Sequence, residues 1–245
     1  MSETHSISLS DGTRVDCRIT PSRRARRLRM TLKQDRTLVL TLPAHTGTSE
    51  VREFIRKSIP WLEKTLKKVS AVVQKTSPGR YPADFNFKLT SERFPVRYEW
   101  HPVCWVGAKE NGNHILVSGE VLRPELVQEA LRLYLIRKAE KLFAPLLRTT
   151  SEKCGIPFGN LTIRYQKGRW GSCSPGKDIS LNAQMLFLPP EAVEYIMIHE
   201  LCHIREMSHS PRFWKLVTNW CPDYRTIRRN IRAESPPYLP LAPES

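Results

Sequence analysis

The chain has 245 residues, room for one generous domain or two small ones, each with a core of its own. Hydrophobic residues make up 40% and charged residues 26%; this is globular composition, which excludes a disordered chain, and no apolar run approaches the roughly eighteen residues of a membrane span. The formal charge of +15 suits an acidic partner, nucleic acid or an anionic protein surface, and equally a basic surface with no such partner.

The opening stretch MSETHSISLSDGTRV lacks the basic start and apolar run of a secretory signal. The six cysteines (Cys17, Cys104, Cys154, Cys173, Cys202, Cys221) include no CxxC pair. The expectation is a cytoplasmic protein with reduced thiols and no membrane partner.

In the first 45 residues apolar positions alternate. Val15, Cys17 and Ile19, then Leu28, Met30 and Leu32, then Leu38, Leu40 and Leu42 each mark a strand with one buried face. Lys33 to Arg36 suits the turn between the second and third. The run PSRRARRLR (21–29) carries five arginines and reads as an exposed strand rim or a phosphate-contacting patch. Residues 49–74 read as a helix on the spacing of Phe54, Ile55, Leu62 and Leu66, with Pro60 expected to break or kink it. QKTSPGR (74–80) has linker composition. Short strand-like runs follow at Phe85-Phe87-Leu89, Val96-Tyr98-Trp100 and Ile115-Val117, with a turn at ENGN (110–113).

From about 124 the pattern becomes helical, through Leu126, Leu131, Leu135 and Phe143. Two strands follow, LTIRY (161–165) and DISLNAQM (178–185), joined by QKGRWGSCSPGK. A helix opens at Pro189-Pro190 and runs to about 206, and two more helical segments reach about 233. The tail SPPYLPLAPES is proline-rich and irregular. This divides the chain into a β-rich N-terminal region (1–120) with its one helical segment, a second domain (121–234) and a tail (235–245).

The helix PEAVEYIMIHELCHIRE is apolar around most of its circumference, so it should be buried. His199, Glu200 and His203 then sit inside the protein, where polar groups cost several kcal/mol unless satisfied. His199 and His203, four apart, stack on one face about 6 Å apart along the axis, the spacing for two imidazoles on one metal ion. Glu200 is turned about 100° from His199, off-axis for a ligand yet within reach of a metal-activated water. Cys202 and Cys221 read as core thiols.

Catalytic zinc sites use three protein ligands. On a continuous helix His209 would point about 120° away from His203. Ser210-Pro211, however, reads as the cap and first residue of a new helix, PRFWKLVTNW, which places His209 at a corner from which it could turn back. HELCHIREMSH has the HExxHxxGxxH spacing of metzincins with Glu206 at the glycine position, so its chain path must differ. Rival third ligands are Glu234 and, less favourably placed, Glu206.

RWGSCS (169–174), ISLN (179–182), HELCH (199–203), HSPRFW (209–214) and PDY (222–224), in that order, resemble the YgjP-like metallopeptidases, relatives of the SprT-like zinc proteases; Trp61 and the arginine-rich N-terminal strand fit the same pattern. The resemblance spans roughly 15 to 233. It implies an α+β fold with a zincin-like core, the HExxH helix packed on a small mixed sheet, preceded by the β-rich region. His199, His203 and His209 would hold one Zn²⁺ per chain and Glu200 would be the general base. The strand ISLNAQM would lie at the cleft edge and pair with an extended substrate. Arg169 and Trp170 would line the cleft or anchor their loop; Asn182 and Tyr224 are further candidates for substrate contact, and Tyr224 and Arg169 for oxyanion stabilisation. SprT-like relatives act on DNA-bound proteins, which implies a protein or peptide substrate with DNA nearby.

The expected function is zinc-dependent peptide-bond hydrolysis. The alternative, resting on charge and PSRRARRLR, is a metal-stabilised nucleic-acid-binding protein without peptidase activity. Glu200 separates the two, because a purely structural zinc site needs no base and closes its fourth position with protein.

Overall fold

The computed structural model describes residues 3–10, 12–32, 37–76 and 81–233. The expected turn at 33–36, Glu234 and the proline-rich tail lie outside them, as does most of the expected linker. Among the described residues the fold is mixed α and β, with five α-helices and several small sheets.

By its contacts the chain forms two compact units, Met1–Ala83 with Val96–Ala130, and Asp84–Pro95 with Leu131–Ser245. The units interleave in sequence: the hairpin at 84–95 packs against the 183–187 turn far downstream, with the Leu89 N–H donating to the Leu186 carbonyl oxygen at 3.3 Å and Phe85 and Phe87 meeting Phe187.

In the first unit, β1 (Glu3–Ser8), β2 (Arg14–Ser22), β3 (Arg29–Leu32) and β4 (Leu38–Pro43) form a sheet in the order β1-β2-β4-β3. β2 runs parallel to β4, and the other pairs are antiparallel. Val15 and Cys17 are buried on one face of β2, and Leu38 and Leu40 on one face of β4, as the period-two pattern requires. β1 was not expected, although Ile7 and Leu9 alternate with serines. Arg23, Arg24, Arg26 and Arg27 lie exposed in the β2–β3 connection.

Helix α1 (Thr48–Thr76) contains Pro60 and is not ended by it, a break being the first of the two outcomes expected there. Proline removes one N–H and one helical bond, a local penalty. The helix's amphipathic face, with Leu62 and Leu66 buried, runs on past that point and sustains it. Further along, the second half of β6 (Glu92–Trp100) pairs in parallel with β8 (His114–Gly119), which pairs antiparallel with β7 (Val106–Asn111).

In the second unit, β5 (Asp84–Phe87) pairs antiparallel with the first half of β6. Phe85, Phe87 and Phe187 form an aromatic cluster with centroids 5.4 to 5.8 Å apart. Helix α2 (Pro124–Cys154) leads from one unit to the other. A second sheet follows, formed by β9 (Leu161–Arg164), β10 (Gly171–Cys173) and β11 (Ile179–Asn182) in the order β10-β11-β9. It is mixed: β11 is antiparallel to β10 and parallel to β9. After a 3-10 turn at Ala183–Phe187 come α3 (Pro190–His203), α4 (Pro211–Trp220) and α5 (Tyr224–Ala233). Helix α3 touches α4, α5 and β10. No helix among the described residues is long and apolar enough to cross a membrane.

One expectation is overturned here. ISLN is not an edge strand, because β9 and β10 occupy both of its hydrogen-bonding sides. The edge strands are β9 and β10, and β10 lies inside the segment read as a connection.

Candidate metal centre

Helix α3 is buried on most sides, with Val193, Met197, Ile198, Leu201 and Cys202 at most 1% exposed. It stops at His203, three residues earlier than its apolar pattern suggests. Ser210 then caps α4: its Oγ accepts from the Phe213 N–H at 3.3 Å, and Pro211 supplies the first helical residue. His209 is thereby set at the corner between two helices. Its Nε2 lies 3.0 Å from His199 Nε2, and His203 Nε2 lies 3.2 Å from the same atom. Among the described residues these three histidines are the group of metal-capable side chains whose ligand atoms converge. Glu206 is turned elsewhere: its carboxylate accepts from Ser208 Oγ at 2.7 Å.

The donor geometry suits one ion. Metal–nitrogen bonds of about 2.0–2.1 Å in a tetrahedron place neighbouring nitrogens about 3.3 Å apart, close to the separations seen. His203 Nδ1 faces the Glu206 carbonyl oxygen at 3.2 Å, so Nδ1 carries the proton and Nε2 presents a lone pair. A proton on His199 Nε2 could serve only one of its two neighbours, whereas a cation would satisfy the three Nε2 atoms together. The His199 ring proton then sits on the buried Nδ1, which has no hydrogen-bond partner among the described residues. Nor is His199 itself readily protonated: burial, followed by the charges of His203, His209 and Arg228, lowers its pKa to about 3. Burial also lowers His203. Neutral imidazoles are the form a metal needs.

Phe213, fully buried, packs against all three imidazoles, with centroids 4.5 to 4.9 Å away. Trp214 stacks on His209 at 5.6 Å. Both rings come from α4, so the helix that frees His209 also walls it in.

Glu200 is 5% exposed. Burial raises its pKa to about 7, against the opposing pull of Arg169. It lies against the β10 backbone at Gly171. A Cβ built there would come within 2.7 to 2.9 Å of Glu200 Oε1, Cγ and Cδ. Gly171 is therefore required by the carboxylate beside it. Gly171→Ala is expected to keep metal content near that of the parent and to lower hydrolysis roughly a hundredfold by displacing Glu200. An unchanged rate beside unchanged metal would mean that the position of Glu200 does not matter.

A cleft of about 300 Å³ opens on this arrangement, lined among others by Arg169, Trp170, Gly171, Tyr195, His199 and Glu200. Of the residues expected at the substrate, Arg169 and Trp170 line this cleft. Asn182 is not in the lining. Its amide nitrogen donates to the carbonyls of Gln166 (2.7 Å) and Arg169 (2.9 Å), and its Oδ1 accepts from Gln184 N (3.1 Å). It pins the loop carrying Arg169 and does not present that amide nitrogen to a ligand. Tyr224 lines an adjoining cleft, stacked on Trp214 at 5.1 Å, with its hydroxyl accepting from Arg225 Nε at 3.2 Å. The phenol that lines the histidine cleft is Tyr195, which sequence reasoning passed over as a core residue. It stands one turn before His199, the same spacing that singled out His203. Burial raises its pKa to about 12, so the hydroxyl keeps its proton.

Over residues 26–234 the sequence matches the family described as "YgjP-like, metallopeptidase domain". Among solved structures, the metallopeptidase zymogen of Pyrococcus abyssi abylysin is 28% identical, with 37% of this chain and 91% of that one covered and a TM-score of 0.34. The zymogen of Methanocaldococcus jannaschii jannalysin is 23% identical, with 37% and 93% covered and a TM-score of 0.34. No curated protein matches the chain.

Proposed function

Because the chain belongs to the YgjP-like metallopeptidase family, we propose that it is a zinc peptidase in which His199, His203 and His209 hold the metal and Glu200 is the general base. The observation that carries this reading is the convergence of three imidazole nitrogens beside a buried carboxylate in one cleft. A divalent metal, typically zinc for three imidazoles, would polarise the scissile carbonyl and acidify the attacking water.

The chain's own residues do the rest. Glu200 takes a proton from the attacking water and delivers it to the leaving amine. Its raised pKa makes both steps accessible near neutral pH. The neutral Tyr195 hydroxyl and the Arg169 guanidinium, both in the cleft wall, are the donors for the carbonyl oxygen as it gains charge. The edge strand β10 offers backbone groups to an extended peptide, the part first expected of ISLN. Contact between α3 and β10 supports a zincin-like core in which the HExxH helix lies on the small mixed sheet. A protein substrate, with DNA nearby, and a cytoplasmic location remain part of the proposal.

The second reading, a metal-stabilised nucleic-acid binder, draws on the exposed arginines of the β2–β3 connection. A carboxylate held beside the histidines favours the first. Zinc-loaded protein incubated with an unstructured casein should yield new peptide termini by mass spectrometry, and a chelator should suppress them. Termini that persist in the chelator would count against metal-dependent cleavage.

A further inference from the structure

Helix α5 reads YRTIRRNIRA, with four arginines and no acid in ten residues. Tyr224 and Ile231 are buried, and Arg228 is half-buried beside them. Its guanidinium carbon lies over the Trp214 ring, 4.9 Å from the ring centroid, and that indole itself stacks on Tyr224. A cation–π contact leaves the guanidinium N–H groups able to donate. Among the described residues no carboxylate pairs with it.

Arg228 also stands on a shared wall. It lines the 300 Å³ cleft that holds His199 and Glu200. It lines as well the adjoining cleft of about 420 Å³, whose other lining residues are Trp214, Tyr224, Arg225 and Arg229. The adjoining cleft is large enough for one amino-acid side chain, has an aromatic floor and is lined by no acid. A partly buried guanidinium with no carboxylate partner among the described residues can bind a carboxylate through charge-assisted hydrogen bonds.

We propose that Arg228 is a specificity-determining residue that binds a carboxylate of the substrate near the scissile bond, either an acidic side chain or the peptide's own C-terminus. The inference rests on the peptidase reading above and names the substrate class for that site.

The test uses the zinc-loaded full chain and synthetic peptides that differ only in Glu, Gln or Lys beside the cleaved bond, each with a free or amidated C-terminus. Wild-type kcat/KM should favour the carboxylate-bearing peptide on the order of 10- to 100-fold. If the carboxylate is a side chain, Gln loses the advantage; if it is the terminus, amidation loses it. Arg228→Ala should bring the ratio close to one, and Arg228→Lys should restore part of it. A residue that only clips Trp214 in place would slow all the peptides alike and leave the ratio standing, which would overturn the inference. Equal cleavage of all the peptides by wild type would overturn it too. The same peptides are titrated calorimetrically into metal-free protein. Should no peptide be cut, the peptidase reading fails, and binding alone then decides. Tighter binding of the carboxylate peptide, lost in Arg228→Ala, supports the carboxylate site; equal binding of all the peptides removes it.

Discussion

Glu200→Gln is expected to leave the metal site filled and to lower peptide hydrolysis on the order of 10²- to 10⁴-fold. The amide keeps the volume of the carboxylate against Gly171 and cannot accept the proton. Parallel assays of zinc content and peptide cleavage check this; a zinc-loaded, fully active variant would remove Glu200 from its role. In the wild type, activity should rise with pH as Glu200 ionises. A cation in the site favours the ionised form, so that limb belongs at or below pH 7.

The same group leaves a mark on stability. In the metal-free protein its pKa is raised from 4.5 to about 7, so the folded state binds the proton more tightly than the unfolded state. Below pH 4.5 both states are protonated and there is no penalty. The penalty grows between 4.5 and 7 and is complete above 7, at about 3 kcal/mol. Metal-free Glu200→Gln should therefore gain on metal-free wild type across that window. Denaturant unfolding at pH 4.5 and pH 8 measures the gain, and a constant difference would argue against a buried, protonated carboxylate.

The second large effect belongs to the histidines. Removing one ligand should weaken zinc binding by at least about a hundredfold, since losing an outer-shell partner of a ligand already costs 10- to 100-fold. With zinc at about a hundred times Kd, the wild type gains roughly 2.7 kcal/mol of stability, a rise in Tm of several degrees. His203→Ala should show no such rise, but it also opens a void against Phe213, 4.5 Å away. His209→Ala is the cleaner variant, because His209 is exposed and its loss disturbs the core little. A zinc-induced rise of wild-type size in His209→Ala would exclude it as a ligand and return attention to Glu234.

Much of this centre was legible because its signals are local. His199, Glu200 and His203 lie within five residues of one helix, and Ser210-Pro211 announces the break that frees His209. Alternation marked β2, β3 and β4 for the same reason. What escaped depends on contacts distant in sequence. Gly171–Cys173 is too short and too weakly apolar for a period-two pattern to show, and whether ISLN is an edge or a central strand depends on where β9 and β10 arrive. Asn182 could not be known as the clamp of the 166–169 loop until that loop had a path. Arg228 gains meaning only from Trp214, fourteen positions earlier on another helix. Pro60 does not end α1, because an amphipathic face continues on both sides of it. Tyr195 was within reach, standing at the same four-residue spacing already used for the ligands.

The metal proposal rests on two histidines of α3 and a third at the corner before α4. Its most direct test is elemental analysis of the purified, untagged protein after exposure to zinc and removal of the excess. About one zinc per chain is expected. A chain that retains none would contradict it and leave His199, His203 and His209 as a polar seam beside Phe213.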